Sequence, residues 1–438
     1  MTLNVRRLTG VLFAVAMCAS SCEEAGKPGL DFPSTAATTP APDPEPPAPD
    51  RAPDSSAVAM EMLCEEPEFP EPSPVPASAD VPREIARLQR RVEIVRDLRY
   101  RDPVATESVN GSEMSRRVTE AFEIQYPRDF YARRTKAWST IGVLPEGTNL
   151  REALLSFGKG GIVGFYDPAT GELVYIGSGD LGFSESFILA HELTHAIDDQ
   201  HFDLTRLDPL VIGCRDEEFM AALGAVEGSA QFFATEVLRE FPAPVGSDDL
   251  DLTGDLSALD DVPPFLLALQ LWPYNYGHGF IIALERRGGL ELVNRALRRF
   301  PVSTEQVLHP ERYPNDLPQP VDVPALEVAG WEDLDVMQVG EEWLRAMLEL
   351  RVDQDTANAA SAGWDGGVYR AWTSGSQVAV ALRTVWDSPT EARQFNDAVE
   401  LWIEEGDAPA EVRVENGAGV LAVFATDDAA LQAISSGI

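Results

Sequence analysis

His191-Glu192-Leu193-Thr194-His195-Ala196-Ile197-Asp198-Asp199-Gln200-His201 is the segment from which the rest of the chain is best read. In an α-helix, residues i and i+4 lie on one face a turn apart, so His191 and His195 can offer both imidazoles to one ion. Glu192, at the next position round the helix, then stands beside a water held at that ion. Phe187, Ile188, Ala190, Leu193, Ala196 and Ile197 make this a mostly buried helix over about 184–200, with Ser184 or Ser186 as its expected N-cap. A solvated helical face carrying two histidines is the plain alternative. The chain has only five histidines, and two of them fall in this apolar helix, which favours a metal site. Imidazole ligands suit zinc.

A catalytic zinc site keeps three protein ligands and one open position. Glu227 is the leading third ligand, because it sits inside the apolar run Ala221–Phe233, where an unpaired carboxylate is too costly to keep. A buried Glu–Arg pair is the structural alternative. Gly224 and Gly228 flank Glu227 and are expected to let its helix, about 216–241, approach the histidine helix closely. His201 is the rival ligand, but six residues beyond His195 it points off the shared face. Asp199, one turn past His195, is placed either to orient a ligand histidine or to end the helix at the surface. A further donor to developing negative charge is expected from His309, Tyr274, Tyr276 or Tyr313, with His309 and Tyr274 ahead. His278, between Gly277 and Gly279, reads as structural.

Upstream, Gly161–Gly177 holds two β-branched and aromatic stretches around Asp167-Pro168-Ala169-Thr170-Gly171, the signature of a hairpin. Its edge is equally suited to core packing and to receiving an extended peptide by strand addition. Ile85, Leu88, Val92 and Val95 repeat at helical spacing. Further helices are expected over 113–126 and 150–157, and a third buried one from near Tyr274. Beyond residue 360, strand-like runs (377–385, 412–415, 420–424) alternate with helical ones (389–403, 427–434), which predicts a small α/β unit. Trp364-Asp365-Gly366-Gly367 reads as a turn between domains.

At the N-terminus, Arg6 and Arg7 precede a short apolar run, Val11–Met17, that is too short to span a bilayer, so residues 1–22 read as a targeting segment. Ala19, Ser20 and Ser21 before Cys22 resemble a lipobox, which implies an exported protein anchored to the cell envelope through a lipid on Cys22; Cys18 is the competing site. Residues 23–80 are rich in Pro, Ala and acids and read as an extended tether. Cys64 and Cys214 remain as the two mature cysteines, and in an oxidising compartment they are expected to pair, the alternative being two buried thiols. A net charge of -38 argues against nucleic acid as a partner.

His191-Glu-Leu-Thr-His-Ala196, followed by Glu227-Gly-Ser-Ala230, resembles the gluzincin arrangement of thermolysin-like peptidases. More closely, the chain is similar to a family of uncharacterised bacterial gluzincin metallopeptidases, often lipoproteins. The resemblance rests on Gly164-Phe-Tyr-Asp-Pro168, His191–Asp203, Val226–Ala230, Pro273–Gly277, Ser303–Tyr313 and Gly363–Gly367. Ile197-Asp198 departs from the Leu-Gln common in that family, and the spacing from His195 to Glu227 exceeds that of thermolysin-like enzymes. The resemblance implies an α+β fold, with a mainly helical zincin-like metallopeptidase domain over 81–355 that carries a small hairpin or sheet, and the α/β unit over 360–438. It also implies Zn2+ as cofactor and a peptide or protein as substrate. Glu192 would take the proton of an activated water and deliver it to the leaving amine.

Overall fold

A computed structural model describes residues 12–15, 63–64, 75–76, 81–125, 128–159, 162–177, 181–212, 214–242, 259, 262–326 and 328–438. Most of the expected targeting segment and tether, including Cys22, lies outside the described residues. Among the described residues the fold is mixed α+β, with thirteen α-helices and two small sheets. No helix there is long and apolar enough to cross a membrane.

The first sheet has strand order β1-β3-β4-β2, formed by β1 (Leu12–Val15), β2 (Ala105–Val109), β3 (Ile162–Asp167) and β4 (Glu172–Ile176). The predicted hairpin is β3–β4, with Phe165 opposite Val174. Its turn is held by Asp167, whose carboxylate accepts from the Ala169 N–H (3.0 Å) and the Thr170 hydroxyl (2.8 Å). β2 pairs parallel with β4, and β1 pairs antiparallel with the other side of β3. β2 was not foreseen, because Ala105-Thr-Glu-Ser-Val109 lacks a clean alternation.

Helices pack on both faces of this sheet. α1 (Arg83–Arg96) buries Ile85, Leu88 and Val92 as its spacing predicted. α2 (Gly111–Gln125), α3 (Arg128–Ile141) and α4 (Leu150–Lys159) follow it, and α3 is an addition to the expected set. The histidine-bearing helix, α5, runs Phe183–Phe202. Its N-cap is Gly182 rather than a serine: Glu185 reaches back to accept the Gly182 N–H at 2.6 Å, leaving Ser184 and Ser186 inside the first turn. The short α6 (Asp208–Ile212) leads to α7 (Asp216–Glu240), which carries Glu227. α8 (Pro264–Arg298) starts ten residues ahead of Tyr274 and kinks at Gly288-Gly289. The sequence signal was masked there by Pro273, which the helix accommodates.

The second sheet, order β5-β6-β7-β9-β8, is antiparallel throughout. It comprises β5 (Glu332–Gln338), β6 (Trp364–Ser374), β7 (Gln377–Trp386), β8 (Ala410–Glu415) and β9 (Gly419–Ala425). β7 alternates, with Val378, Val380 and Leu382 facing one core and Ala379 and Ala381 the other. Both faces are covered there, which is why Val378–Leu382 is a continuous apolar run. β5 lies ahead of the boundary expected near 355–360, so the C-terminal unit starts before residue 332. Trp364–Gly367 is the start of β6 rather than a turn between domains; Gly366 and Gly367 sit where an added Cβ would meet the Gln319 and Val339 carbonyl oxygens.

The two parts share one core. Trp138 of α3 and Phe265 of α8 pack on Trp343 of α10 (Glu341–Leu348). The buried Arg134 binds Asp335 of β5 at 2.7 Å and Asp216 of α7 at 2.8 Å. The Cys64–Cys214 disulfide is present, with a Cα–Cα distance of 5.8 Å, and ties residues 63–64 to the body.

Glu217, at the start of α7, holds the N-terminus of α9 (Thr304–Leu308) by accepting from the Thr304 N–H and, at 2.8 Å, from its hydroxyl. Burial raises the Glu217 carboxyl to about 8 despite those bonds, and burial likewise raises Glu305 to about 9 and Glu342 to about 7. An unfolded glutamate titrates near about 4.3, so the folded chain holds these protons more tightly. Their stabilisation is complete below that value and is lost as pH rises through about 7 to 9. The melting temperature is therefore expected to fall between pH 5 and pH 9, with a shallower fall in Glu217→Gln. A melting temperature that climbs across that range would contradict this assignment.

Candidate metal centre

α5 and α7 pack side by side and bring His191, His195 and Glu227 to one buried point. His191 Nε2 lies 3.0 Å from Glu227 Oε2 and 3.0 Å from His195 Nε2. His195 Nε2 lies 3.4 Å from the same carboxylate oxygen. None of the three residues is more than 1% exposed. Each of the three residues offers one ligand atom to a shared point in this low-dielectric interior, where a buried carboxylate needs a partner. Two imidazoles and a carboxylate on two helices could hold a metal ion, and they are the donor types that zinc sites with an open position use. Burial raises the Glu227 carboxyl, but the two imidazoles outweigh it and hold the group below the ordinary carboxylate range. Burial keeps the His191 ring below its usual pKa, which leaves it neutral and able to ligate.

Glu192 is fully buried, and its Oε2 accepts the N–H of Tyr166 on β3 at 2.7 Å. The hairpin thus fixes the carboxylate that follows the first histidine. Tyr274 reaches the site from α8. Its ring stacks at 6.2 Å on His191, and its hydroxyl hydrogen-bonds Glu227. Burial first, and then the nearby Glu227 and Glu192 charges, hold this phenol well above its usual pKa, so it stays a donor.

His309 is not brought to this point. It ends α9, with its Nε2 3.1 Å from Glu341 Oε1, and the Glu341 bond raises its pKa. Its place before Pro310 leaves the direction of the ring to the packing of α9 against Glu341 of α10. Tyr313 is core, with its hydroxyl donating to the Arg299 carbonyl, and Tyr276 stacks on Trp272. His201 faces the Arg99 carbonyl at 2.8 Å, and His278 lies beside Phe232.

Asp199 does not orient His195. Its carboxylate accepts from the Tyr166 hydroxyl and the Leu204 N–H, each at 2.8 Å, strapping β3 to the end of α5. Neither ligand histidine has a partner for Nδ1 among the described residues. The acid that organises the centre is its neighbour Asp198, 2% exposed. It accepts from Arg96 Nε of α1 and from the Ser229 hydroxyl of α7, both at 2.7 Å. Arg96 lies in turn over Phe233 at 4.6 Å. This triad pins α1, α5 and α7 together two residues from Glu227. Its signal was Asp198 itself, an acid in a buried helix with no metal to serve. Asp198→Ala leaves the Arg96 charge buried without its partner, and about 3–5 kcal/mol of stability is expected to go with it, read by urea unfolding. A loss under 1 kcal/mol would mean that Arg96 reaches solvent or another acid.

Gly224 and Gly228 do allow a close approach, but to α8 and not to the histidine helix. A Cβ on Gly228 would stand 2.2 Å from the Gly277 carbonyl oxygen, and one on Gly277 would stand 2.0 Å from that of Gly224. The glycines occupy the side of α7 turned away from α5. Their effect on the centre is to seat α8, and with it Tyr274, against Glu227.

Gln231, one turn beyond Glu227, lies near His191 and was not foreseen, since a glutamine in a helix carries no distinctive pattern. In comparisons with known proteins, no curated protein and no solved structure matches the chain. Residues 328–434 match a family described as a domain of unknown function (DUF8575), which covers the C-terminal sheet and leaves the helices of the metal centre outside it.

Proposed function

We propose that the chain is a zinc-dependent peptide-bond hydrolase of gluzincin type with a zincin-like catalytic part, exported and lipid-anchored through Cys22. The observation that carries this reading is the meeting of His191, His195 and Glu227 at one buried point, with the Glu192 carboxylate fixed beside it by the hairpin. Zinc held there would polarise a scissile carbonyl and acidify a water. The Glu192 carboxylate would take up a proton from the attacking water and pass it to the leaving amine. The Tyr166 N–H holds the Glu192 carboxylate in place while it does so. Tyr274, kept protonated, would serve as a donor to the carbonyl oxygen that gains negative charge.

Substrate access follows from β3. Removal of residues 1–21 on export takes away β1 and exposes the outer edge of β3 to an extended peptide.

The test is metal content by plasma mass spectrometry on the chain from residue 23, with cleavage of a mixed peptide library alongside. Wild type is expected to carry about one zinc per chain and to cut peptides, whereas Glu227→Ala loses the metal. Folded wild type that holds no zinc and stays inert when zinc is added ends the hydrolase reading. Zinc without any cleavage points instead to a metal-bearing peptide-binding scaffold.

A further inference from the structure

A cavity of about 190 Å3 lies between the N-terminal halves of α7 and α8 and the C-terminal unit. Glu227 and Tyr274 line part of it, so it reaches the metal centre. Elsewhere its wall is largely apolar: Trp138 and Phe157 from α3 and α4, Leu223 and Leu269 from α7 and α8, and Met337 and Trp343 from the C-terminal unit. Leu223, Gln270 and Gln338 are partly exposed, so this is a pocket with a mouth rather than a sealed void. Its size sets what it can take. An apolar cavity of roughly 150 Å3 accommodates a benzene ring, whereas pockets for whole drug-sized ligands start at about 300 Å3. One aromatic or branched side chain fits; a folded ligand does not.

Met337, Gln338 and Trp343 all fall within the segment of unknown function, 328–434. We infer that the C-terminal unit is a specificity-determining part of the metal centre, forming with α7 and α8 the subsite for a bulky apolar side chain next to the bond that is cut. This inference rests on the hydrolase reading for its substrate, but its geometry is independent of turnover. Gln338 on the C-terminal wall and Leu223 on the opposite wall bear on the width of the pocket, and neither is Glu192 or a proposed metal ligand.

The test pairs binding with cleavage. Zinc-loaded Glu192→Gln protein is titrated calorimetrically with N-acetyl-phenylalanine amide and N-acetyl-alanine amide, alone and with Gln338→Phe or Leu223→Phe added. The phenylalanine amide is expected to bind roughly 10- to 100-fold more tightly. Either narrowing substitution should remove that advantage while zinc content and melting temperature hold. The peptide library, cut by otherwise wild-type protein, reads the same preference at the residue flanking the cut. Equal affinity for the two amides, or an unchanged preference in both narrowed proteins, overturns the inference. If neither narrowed protein folds, the wild-type amide ratio and library profile decide it. Protein that cuts peptides with no apolar preference keeps the hydrolase and loses the subsite. Protein that cuts nothing yet shows the binding pattern keeps the subsite and loses the hydrolase.

Discussion

Glu192→Gln is expected to lower peptide hydrolysis by about 10²- to 10⁴-fold, the range typical for removal of a general base, while zinc content stays at the wild-type level. The substitution is close to isosteric, and the amide oxygen can still accept the Tyr166 N–H that now binds Glu192 Oε2 at 2.7 Å. What is lost is the ability to take a proton. His191, His195 and Glu227 do not depend on Glu192 for their positions, since α5 is locked to α7 through Asp198 and Ser229. Activity and metal content should therefore separate in this variant, whereas in Glu227→Ala they fall together. A Glu192→Gln protein with more than a tenth of wild-type activity would remove Glu192 from the reaction.

Gly228→Ala should have a large structural effect for a single added methyl group. The new Cβ would stand 2.2 Å from the Gly277 carbonyl oxygen and 2.3 Å from its carbon, and both belong to helix backbone that cannot swing aside. α7 and α8 must move apart, at a cost of about 1–3 kcal/mol or more for overpacking a tight contact. Because Glu227 is the preceding residue and Tyr274 is carried by α8, the shift also disturbs the ligand set. A lower melting temperature and weaker zinc retention are expected together. Gly279→Ala is the matching control, because an added Cβ there meets nothing within 4 Å. In an open helical position the change stabilises by about 0.4–1 kcal/mol. Equal melting temperatures for the two variants would show that the α7–α8 contact is looser than its geometry implies.

Much of the centre was legible in the chain because local rules govern it. The i, i+4 spacing of His191 and His195 is a property of one helix, and so is the position of Glu192 beside them. Glu227 announced itself as a carboxylate in an apolar run, which physics tolerates only with a partner. The hairpin declared itself through Asp167-Pro-Ala-Thr-Gly171, and β7 and β9 through unbroken apolar runs. These features depend on the period of the backbone and the cost of burying charge, and both are set by residue type and order.

Contacts between distant elements were decided by tertiary structure. Whether Tyr274 meets His191 and Glu227 depends on the crossing of α8 with α7, which Gly224, Gly228 and Gly277 fix by backbone contact. Asp198 and Asp199 are neighbours of the same chemistry, yet one turns into the Arg96–Ser229 lock and the other toward Tyr166. Successive helical positions diverge by about 100° in direction, so which acid does which depends on what packs outside each face. β5 joined the C-terminal sheet because β6 offers it an edge, a pairing that local sequence does not encode. The sequence by itself thus picked out His191, His195 and Glu227, which the fold brings to one point, and Glu192 beside them. The fold alone decided what surrounds them, because side chains far apart in the chain meet only where packing brings their helices together.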